Sequence, residues 1–274
     1  MFQYATARRL AHALGVEVVV DTSWHRRRIL NTTLRPFELG RLAVSLRELR
    51  PSEAFWAFPI TNRYLSRLPL PNRWKVRRER GRAFDEAVLR CGPDTFLYGY
   101  WQSPLYFQDI RELLVREFQP IDPPAAADAR VLEAAASSES VFVHVRRGDY
   151  VSLPAAAQHH GSCGLDYYAA ALQMVSRHVR DPVFFAFSDD PEWTRANLKF
   201  DAKVIHVNHN GPAAAHQDLR LMTACRHAVI ANSSFSWWGA WLGTSESRIV
   251  IAPRKWFVAS EVNSDLFPPS WQLI

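Results

Sequence analysis

Two adjacent arginines offer the clearest chemistry in the sequence. Arg146 and Arg147 follow the apolar residues 141–145, and Gly148 and Asp149 come directly after them. A guanidinium group is always charged and can hold two phosphate oxygens at once. A glycine lets the backbone approach a ligand, and Asp149 can orient an arginine or hold a ligand hydroxyl. This pattern predicts an anion-binding loop; the competing interpretation is a strand end with ordinary surface arginines.

Hydroxyl groups are concentrated in residues 231–242 (ANSSFSWWGAWL), where a predicted strand ends and a helix begins. A helix N-terminus presents free N–H groups and the positive end of the helix dipole, which suits a phosphate. Ser234 or Ser236 can cap this helix and also donate to a phosphate. Ordinary N-capping is the competing interpretation. We expect at least two of the three tryptophans in this segment to pack in the core.

Two acidic residues, Asp189 and Asp190, follow another predicted strand. Adjacent acids can bind a metal ion, but Asp190 precedes Pro191, which is typical of a helix N-cap followed by the first helical residue. Asp189 is then available to contact a base or a ribose. The sequence has no other acidic cluster, so we expect no required metal and no cofactor.

An aromatic segment at residues 98–103 (YGYWQS) combines flat apolar rings with an amide and a hydroxyl. Such a combination suits a sugar, which offers an apolar face and directional hydrogen bonds. Tyr100 and Gln102 are therefore candidate sugar contacts. The alternative is a strand that packs its aromatic side chains.

Short apolar strands separated by helices must position these residues. Strands are predicted at 140–145, 183–188, 203–207, 227–231 and 248–252, with helices at 165–179 and 216–225. This alternation predicts an α/β fold with a parallel sheet covered on both faces. Such a sheet binds its ligand beyond the carboxyl ends of the strands.

The first half of the sequence is less regular. A helix is predicted at 4–14, ending at Gly15, and a buried strand at 16–21. Residues 122–130, with two prolines and four alanines, are predicted to be a linker.

Composition limits the class of protein and its partners. The chain has 274 residues, of which 48% are hydrophobic and 22% charged, which is typical of a soluble globular protein. Its net charge of +6 and pI of about 9.5 favour anionic partners without choosing among them. The three cysteines indicate neither a disulfide framework nor a zinc site. No stretch approaches the ~18 apolar residues that span a bilayer, and no signal peptide is expected.

The most basic stretch, residues 63–82, contains eight Arg or Lys residues and one Glu. It is either a solvated surface segment or a patch for acidic lipid headgroups or acidic glycans. Aromatic residues are sparse there, so a single-stranded nucleic-acid site is weakly supported. We expect a cytoplasmic protein that binds no nucleic acid. If the basic stretch is a lipid patch and not a solvated segment, the protein contacts acidic lipids peripherally on the inner face of the membrane.

The order of the motifs resembles the family 11 glycosyltransferases, the α-1,2-fucosyltransferases. The arginine motif HVRRGDY and the segment SSFSWWGAW are the most specific parts of the resemblance. The matching segments are MFQYA at 1–5, GYWQS at 99–103, HVRRGDY at 144–150, CGLDYY at 163–168, FSDDPEW at 187–193, DLRLM at 218–222, ANSSFSWWGAWL at 231–242 and IAPRKW at 251–256. Together they cover nearly the whole chain in order.

The resemblance implies a GT-B-like fold of two Rossmann-like lobes with parallel sheets. We assign residues 1–122 to an acceptor-side lobe and 123–274 to a GDP-fucose-binding lobe. The implied reaction is the inverting, metal-independent transfer of L-fucose from GDP-fucose to the 2-hydroxyl of a galactoside. The implied partners are GDP-fucose and a galactose-terminated glycan.

The resemblance also assigns roles to individual residues. The two arginines would neutralise the pyrophosphate, in a site shaped by His144 and Asp149. Asp189 and the turn at 233–236 would hold guanosine and phosphates. The predicted catalytic residues are Arg146, Arg147 and Asp149, and the predicted substrate-binding residues are His144, Asp189, Ser233, Ser234, Phe235, Ser236, Tyr100 and Gln102. Asp149 is a candidate base, although orienting an arginine is its simpler role.

The sequence departs from the family pattern at its beginning. Members of the family start with a strand and a Gly-x-Gly-Asn-Gln loop just before MFQYA, and here the Met of that motif is residue 1. We therefore expect the N-terminal lobe to lack its first strand. The alternative to an active transferase is then a truncated, noncatalytic homologue that binds a nucleotide or a glycan.

Overall fold

The computed structural model describes residues 1–26, 36–61, 65, 73–148, 161–258 and 264–274. The chain divides into two compact units. Unit 1 comprises Met1–Gln119 and Ser264–Leu266, and unit 2 comprises Pro120–Asn263 and Phe267–Ile274. The division lies close to the boundary that we placed between residues 122 and 123, but the return of the chain to unit 1 near its end was not expected. The acceptor and donor roles of the two lobes stay predictions.

Unit 1 combines helices with short parallel strand pairs. Its helices and strands are α1 (Phe2–Leu14), β1 (Val19–Val20), α2 (Ser23–Arg26), β2 (Arg47–Glu48), α3 (Pro51–Thr61), β3 (Lys75–Arg78), β4 (Thr95–Tyr98) and α4 (Arg111–Glu117). Short 3-10 helices lie at Leu39–Arg41, Glu86–Arg90, Pro104–Tyr106, Gln108–Ile110 and Ser264–Leu266. Strand β1 pairs with β2 and strand β3 with β4, both in parallel.

Helix α1 confirms the helix predicted for residues 4–14 and its end at Gly15. It is anchored by the buried Tyr4, whose hydroxyl donates to the Glu117 carboxylate at 2.6 Å. The buried strand predicted at 16–21 is wrong in extent and in burial. Only β1 forms, and Val19 is 38% exposed, because a two-stranded pair leaves its faces largely uncovered.

Unit 2 contains one large parallel sheet and its covering helices. These elements are α5 (Ala126–Ala136), β5 (Glu139–Val145), α6 (Leu165–His178), β6 (Pro182–Ser188), α7 (Pro191–Asn197), β7 (Val204–Val207), α8 (Ala215–Ala224), β8 (His227–Val229), α9 (Ser234–Leu242), β9 (Val250–Ala252) and β10 (Gln272–Leu273), with a 3-10 helix at Pro212–Ala214. The strand order is β10-β9-β8-β5-β6-β7, and every pair is parallel. The prediction of an α/β fold with parallel sheets is confirmed.

The strand order determines where unit 2 should bind a ligand. Counted from β5, the order corresponds to the doubly wound arrangement in which successive crossovers run first to one side and then to the other. The direction of winding changes between β5 and β8, which are direct neighbours. A crevice therefore opens beyond the carboxyl ends of these two strands, where doubly wound sheets hold their ligands.

Strand β5 lies at the centre of the unit 2 core, and both of its faces are buried. Val141, Val143 and Val145 belong to one apolar cluster with residues of α6. Phe142, on the opposite face, contacts the Phe187 ring at 6.4 Å between centroids. Continuous burial explains why four of the predicted strands match β5, β6, β8 and β9 closely, whereas β7, at the edge of the sheet, is mostly half-buried.

Helix α9 packs its aromatic side chains inside unit 2. Trp237, Trp238 and Trp241 are all buried, and the Trp237 and Trp241 rings stack at 6.0 Å between centroids. The prediction that these tryptophans belong to the core is confirmed.

The linker predicted at 122–130 is wrong for its second half. Helix α5 begins at Ala126, because alanine is the best helix former and the Asp128 carboxylate accepts the backbone N–H of Ala125 at 3.2 Å. This contact satisfies one of the free donors at the start of the helix.

Across the part of the chain that the structure describes, no helix is long and apolar enough to cross a membrane.

Candidate functional site

The loop after β5 is fixed by a carboxylate from the neighbouring strand. Val145 and Ser188 are partners in the β5–β6 pairing, so Arg146 and Asp189 leave the sheet at the same level. The Arg146 Nη1 lies 3.0 Å from Asp189 Oδ2, and the backbone N–H of Arg147 donates to Asp189 Oδ1 at 2.8 Å. The Asp189 carboxylate thus holds the side chain of Arg146 and the backbone of Arg147.

This arrangement gives Asp189 the positioning role that we considered for Asp149. Asp149 itself lies outside the described residues. The sequence could not show the contact, because residues 146 and 189 become neighbours only through the strand pairing. The further role predicted for Asp189, holding guanosine, stays a prediction.

Gly148 allows the close approach between this loop and Asp189. A Cβ atom at position 148 would lie 2.6 Å from Asp189 Oδ2, which is closer than carbon and oxygen tolerate. Any other residue at this position must therefore displace the carboxylate that holds the arginines. From the sequence we predicted that Gly148 lets the backbone approach a ligand. The approach of Asp189 is a second reason for a glycine here, which the sequence did not reveal.

Arg147 lies over an aromatic ring at the start of α7. Its Cζ is 3.7 Å from the centroid of the Trp193 ring, a cation–π contact that holds the guanidinium in place. Its Nε is 3.5 Å from Asp190 Oδ2, which is long for an ion pair. Asp190 also accepts the backbone N–H of Trp193 at 3.2 Å. The prediction that Asp190 is the N-cap of a helix beginning at Pro191 is confirmed.

His144 is a buried, neutral ring behind the arginines. It is 4% exposed, and its ring lies 5.8 Å from that of Phe235 in α9. Burial lowers the pKa of His144 to about 4; Asp189 acts in the opposite direction, and the charge of Arg146 adds to the lowering. At neutral pH the ring carries one donor and one acceptor and no charge.

The His144–Phe235 contact joins the two motifs that the sequence interpretation placed at one site. The first turn of α9 thereby lies beside the carboxyl end of β5. Ser233 is the N-cap of α9, and its side chain makes no capping hydrogen bond. Ser234 is exposed and Phe235 half-buried, so this turn can present N–H groups and a hydroxyl to an anion.

Ser236 has a different role from the one predicted. Its side chain is fully buried, and its hydroxyl bonds to the carbonyl oxygens of Ser233 at 3.2 Å and Ala231 at 3.4 Å. A hydroxyl has one proton to donate, and here it is used within the turn. The prediction of Ser236 as a phosphate donor is therefore corrected: it stabilises the turn.

Two tyrosines that sequence reasoning left without a role hold the ends of the central strands. The Tyr168 hydroxyl donates to the carbonyl of His144 at 3.1 Å. The neighbouring Tyr167 donates to the carbonyl of Ile230 at 2.6 Å, just beyond β8. The only indication of this role in the sequence was the pair of adjacent tyrosines in the first turn of a helix that follows a loop.

Other polar groups of unit 2 do not join this site in the described residues. Asp218, weighed as a cap or a ligand, lies inside α8 and accepts from Asn210 Nδ2 at 2.9 Å. Burial raises its pKa to about 6.

A surface cleft that includes Glu139 and His227 lies at the amino ends of β5 and β8, the opposite edge of the sheet. No cluster of three metal-binding side chains occurs among the residues described.

The predicted sugar contacts, Tyr100 and Gln102, belong to unit 1. Strand β4 ends at Tyr98, so residues 99–103 are not a strand that packs its aromatic side chains. Tyr100 is 72% exposed, whereas Trp101 is buried. Gln102 is half-buried.

Comparison with known proteins identifies three informative relatives. An α-1,2-colitosyltransferase of Escherichia coli is 39% identical over 181 residues, which are 63% of this chain and 60% of that protein. The O-antigen biosynthesis glycosyltransferase WbnK of E. coli is 29% identical over 290 residues, 99% of this chain and 95% of that protein. The galactoside α-(1,2)-fucosyltransferase 2 of Oryctolagus cuniculus is 29% identical over 248 residues, 88% of this chain and 63% of that protein.

Among solved structures, E. coli ADP-heptose lipopolysaccharide heptosyltransferase II has a TM-score of 0.45 and 11% sequence identity, covering 100% of this chain and 86% of that one. The family model for glycosyl transferase family 11 matches residues 72–274. This match includes the arginine loop, Asp189 and the first turn of α9. The chain belongs to glycosyl transferase family 11.

Proposed function

We propose that the chain transfers L-fucose from GDP-fucose to the 2-hydroxyl of a galactoside, with inversion and without a required metal. The observation that carries the proposal is the pair of arginines held by Asp189 at the point where the sheet changes its winding direction. Membership of the family and the names of its α-1,2-fucosyltransferase relatives support the reaction class.

The reaction is a single displacement. The acceptor oxygen forms a bond to the anomeric carbon while the bond from that carbon to the β-phosphate oxygen breaks and its electron pair leaves with GDP. The transition state resembles an oxocarbenium ion, and negative charge grows on the leaving phosphate. Arg146 and Arg147 stabilise that charge because they are already in place. The acceptor proton passes to a base, for which Asp149 is our candidate.

The two arginines differ in how readily they can reach a phosphate. Arg146 is held by Asp189 at 3.0 Å, whereas the contact between Arg147 and Asp190 is 3.5 Å long. A diphosphate can replace the weaker contact at a smaller cost. Arg147 then binds the phosphate while Trp193 keeps its guanidinium in position.

The N-terminal turn of α9 completes the proposed donor site. Ser234 and the free N–H groups of this turn provide donors for a phosphate. Neutral His144 contributes a hydrogen-bonding ring without adding charge.

Arginine substitutions test the proposal. We expect Arg146→Ala and Arg147→Ala to lower turnover with GDP-fucose and lactose, the more important one by roughly 10²–10³-fold. Arg177→Ala, which removes an exposed arginine from the end of α6, should leave transfer unchanged. Full transfer by the double arginine variant would refute the proposal. GDP binding by calorimetry without turnover in the wild type would favour the noncatalytic alternative.

A second candidate donor sugar is colitose, because a colitosyltransferase is 39% identical to this chain over 181 residues. A panel that pairs nucleotide-linked fucose and nucleotide-linked colitose with several galactosides distinguishes the two. We expect the higher kcat/KM with fucose. A clear preference for colitose would change the donor while leaving the arginine roles intact.

We further propose that unit 1 contacts acidic lipids on the inner face of the membrane. Phe55 of helix α3 is 72% exposed. Arg78 of the basic segment donates to the carbonyl of Ile60 in this helix at 3.1 Å. Arg73, Lys75 and Arg80 of the basic segment are exposed, and exposed aromatic and cationic groups together favour an anionic interface. The wild type should sediment with phosphatidylserine vesicles and not with neutral vesicles. Phe55→Ser should sediment with neither. Equal binding to both kinds of vesicle would contradict the lipid contact.

A further inference from the structure

A turn in unit 1 carries backbone strain next to a predicted sugar contact. Trp101 has a φ of +57°, in the left-handed region that residues other than glycine rarely adopt. Its ring is 1% exposed, and within the described structure its buried indole N–H has no hydrogen-bond partner. Strain of this kind persists only where surrounding contacts impose it, and it is concentrated at functional sites.

The Glu79 carboxylate is the main contact that imposes this conformation. It follows β3 directly, and each of its oxygens accepts one backbone N–H: Oε2 from Tyr100 at 2.8 Å and Oε1 from Trp101 at 2.9 Å. Two consecutive N–H groups therefore point to the same side chain. Because each oxygen has its own donor, the carboxylate fixes the direction of both peptide groups.

Two further contacts fix the start of the turn. Gln3 of α1 donates from Nε2 to the carbonyl of Gly99 at 2.7 Å. A Cβ atom at position 99 would lie 2.4 Å from the Glu79 Cβ, so only glycine permits Glu79 to come this close. The turn is thus held by α1 on one side and by Glu79 on the other.

This arrangement exposes one side chain and immobilises its neighbours. Trp101 and Ser103 are 1% and 0% exposed, whereas Tyr100 between the fixed peptide groups is 72% exposed. Its N–H is already used, so Tyr100 can recognise a ligand through its phenol ring and its hydroxyl. The fixed peptide groups set the direction in which the Tyr100 side chain leaves the turn, and an exposed aromatic ring suits a sugar with an apolar face. Galactose has such a face, because its axial 4-hydroxyl leaves the C–H groups at C3, C4 and C5 together.

We propose that Glu79 is a positioning residue for the acceptor: through two backbone N–H groups it fixes the backbone that presents the Tyr100 ring as a platform for the acceptor's galactose. The inference rests on the proposed function, which makes a galactoside the acceptor. It adds a residue outside all the assigned motifs and explains why a strained tryptophan follows the platform.

Glu79→Gln is the informative substitution. Glutamine has one carbonyl oxygen, and its NH₂ group would face a second backbone N–H, so one of the two bonds is lost. We expect the KM for lactose to rise about tenfold, with the KM for GDP-fucose and the Kd for GDP unchanged. Glu79→Asp, which keeps both oxygens, should recover part of the loss. Glu112→Gln, at an exposed acid of α4, is the matched control.

A double-mutant cycle tests whether Glu79 acts through Tyr100. Tyr100→Ala removes an exposed ring and should leave folding intact, while raising the lactose KM about tenfold. The double variant should then be no worse than Tyr100→Ala, because non-additivity marks residues that act together. Additive effects, or a KM change shared equally by donor and acceptor, would overturn the inference.

The two proposals fail in different ways. Absence of fucosyl transfer by the wild type would refute the proposed function. Transfer with an unchanged lactose KM in Glu79→Gln and Tyr100→Ala would refute only the role of Glu79. Saturation-transfer NMR with methyl β-galactoside measures acceptor binding without turnover. Loss of the galactoside signal in Glu79→Gln supports the inference, and an equal signal in wild type and variant contradicts it.

Discussion

At the scale of single residues, the two oxygens of Asp189 decide the geometry of the proposed donor site. One oxygen contacts the Arg146 side chain, and the other accepts the Arg147 backbone N–H. An amide has only one oxygen to offer, so Asp189→Asn must lose one of these contacts. We expect kcat/KM to fall by roughly 10–100-fold, because a charge-assisted bond contributes about 1.5–3 kcal/mol.

Steady-state kinetics with GDP-fucose and lactose measure this effect. Asp201→Asn, an exposed acid of unit 2, is the control and should be unaffected. Wild-type kinetics in Asp189→Asn would show that the arginines keep their positions without the carboxylate, which would contradict the role assigned here.

His144 makes a separate prediction about pH. Its pKa is lowered to about 4 in the folded protein from an unfolded value near 6.5. The unfolded chain therefore binds more protons between these values, and stability is lost as pH falls through this window. The expected contribution of His144 to this loss is about 2 kcal/mol between pH 7.5 and pH 5.

Urea unfolding at the two pH values tests this contribution. His144→Gln cannot titrate, so its unfolding free energy should depend less on pH than that of the wild type. Other histidines contribute equally to both proteins and cancel in the comparison. An identical pH dependence would mean that folding does not lower the pKa of His144.

At the scale of elements, Asp128 joins two segments of unit 2. The buried carboxylate accepts from His209 Nε2 and Asn210 Nδ2, both at 2.8 Å, and from the backbone of Ala125. Burial raises the pKa of Asp128, but the bonds from Asn210 and His209 outweigh burial, so the pKa is lowered overall. Helix α5 is thereby attached to the loop that follows β7.

Asp128→Ala leaves these donors without their acceptor. We expect the free energy of unfolding to fall by about 2–3 kcal/mol and the melting temperature by roughly 5–10 °C. Thermal unfolding followed by circular dichroism measures the change, and Asp201→Ala provides the exposed control. An unchanged melting temperature would mean that the linkage contributes little.

These elements also show what the sequence could and could not reveal. Strands β5, β6, β8 and β9 were located closely because they are buried on both faces, which leaves nearly continuous apolar runs. The start of helix α5 was mistaken for a linker because the two prolines before it and its first alanines were weighed as a composition. The contact that anchors the helix joins residues 81 positions apart and has no local signal.

The candidate site shows the same division. The arginine loop and the first turn of α9 were predicted from residue type and order. The restraints on them were not, because Asp189, Trp193 and Tyr168 reach the loop from other elements. Distances of this kind follow from strand register and helix packing, which a single sequence does not specify.

At the scale of the whole molecule, the proposed donor site predicts stabilisation by nucleotide. A ligand that binds only the folded state stabilises it by RT ln(1 + [L]/Kd), about 2.7 kcal/mol at 100 times Kd. If the phosphates bind Arg146, Arg147 and the turn of α9 as proposed, GDP should link the carboxyl ends of β5 and β8. We expect saturating GDP to raise the melting temperature by roughly 5–10 °C.

The same experiment separates the contribution of the phosphates to binding from that of the base. Guanosine lacks the phosphates and should give a much smaller shift at the same concentration, whereas UDP keeps the phosphates and tests the base. The Arg146→Ala/Arg147→Ala double variant should lose most of the GDP shift and keep its ligand-free melting temperature within a few degrees, since neither side chain belongs to the core. An unchanged GDP shift in that variant would place the nucleotide elsewhere in the protein. Equal shifts with GDP and UDP would retain the diphosphate site but remove the argument for a guanosine donor.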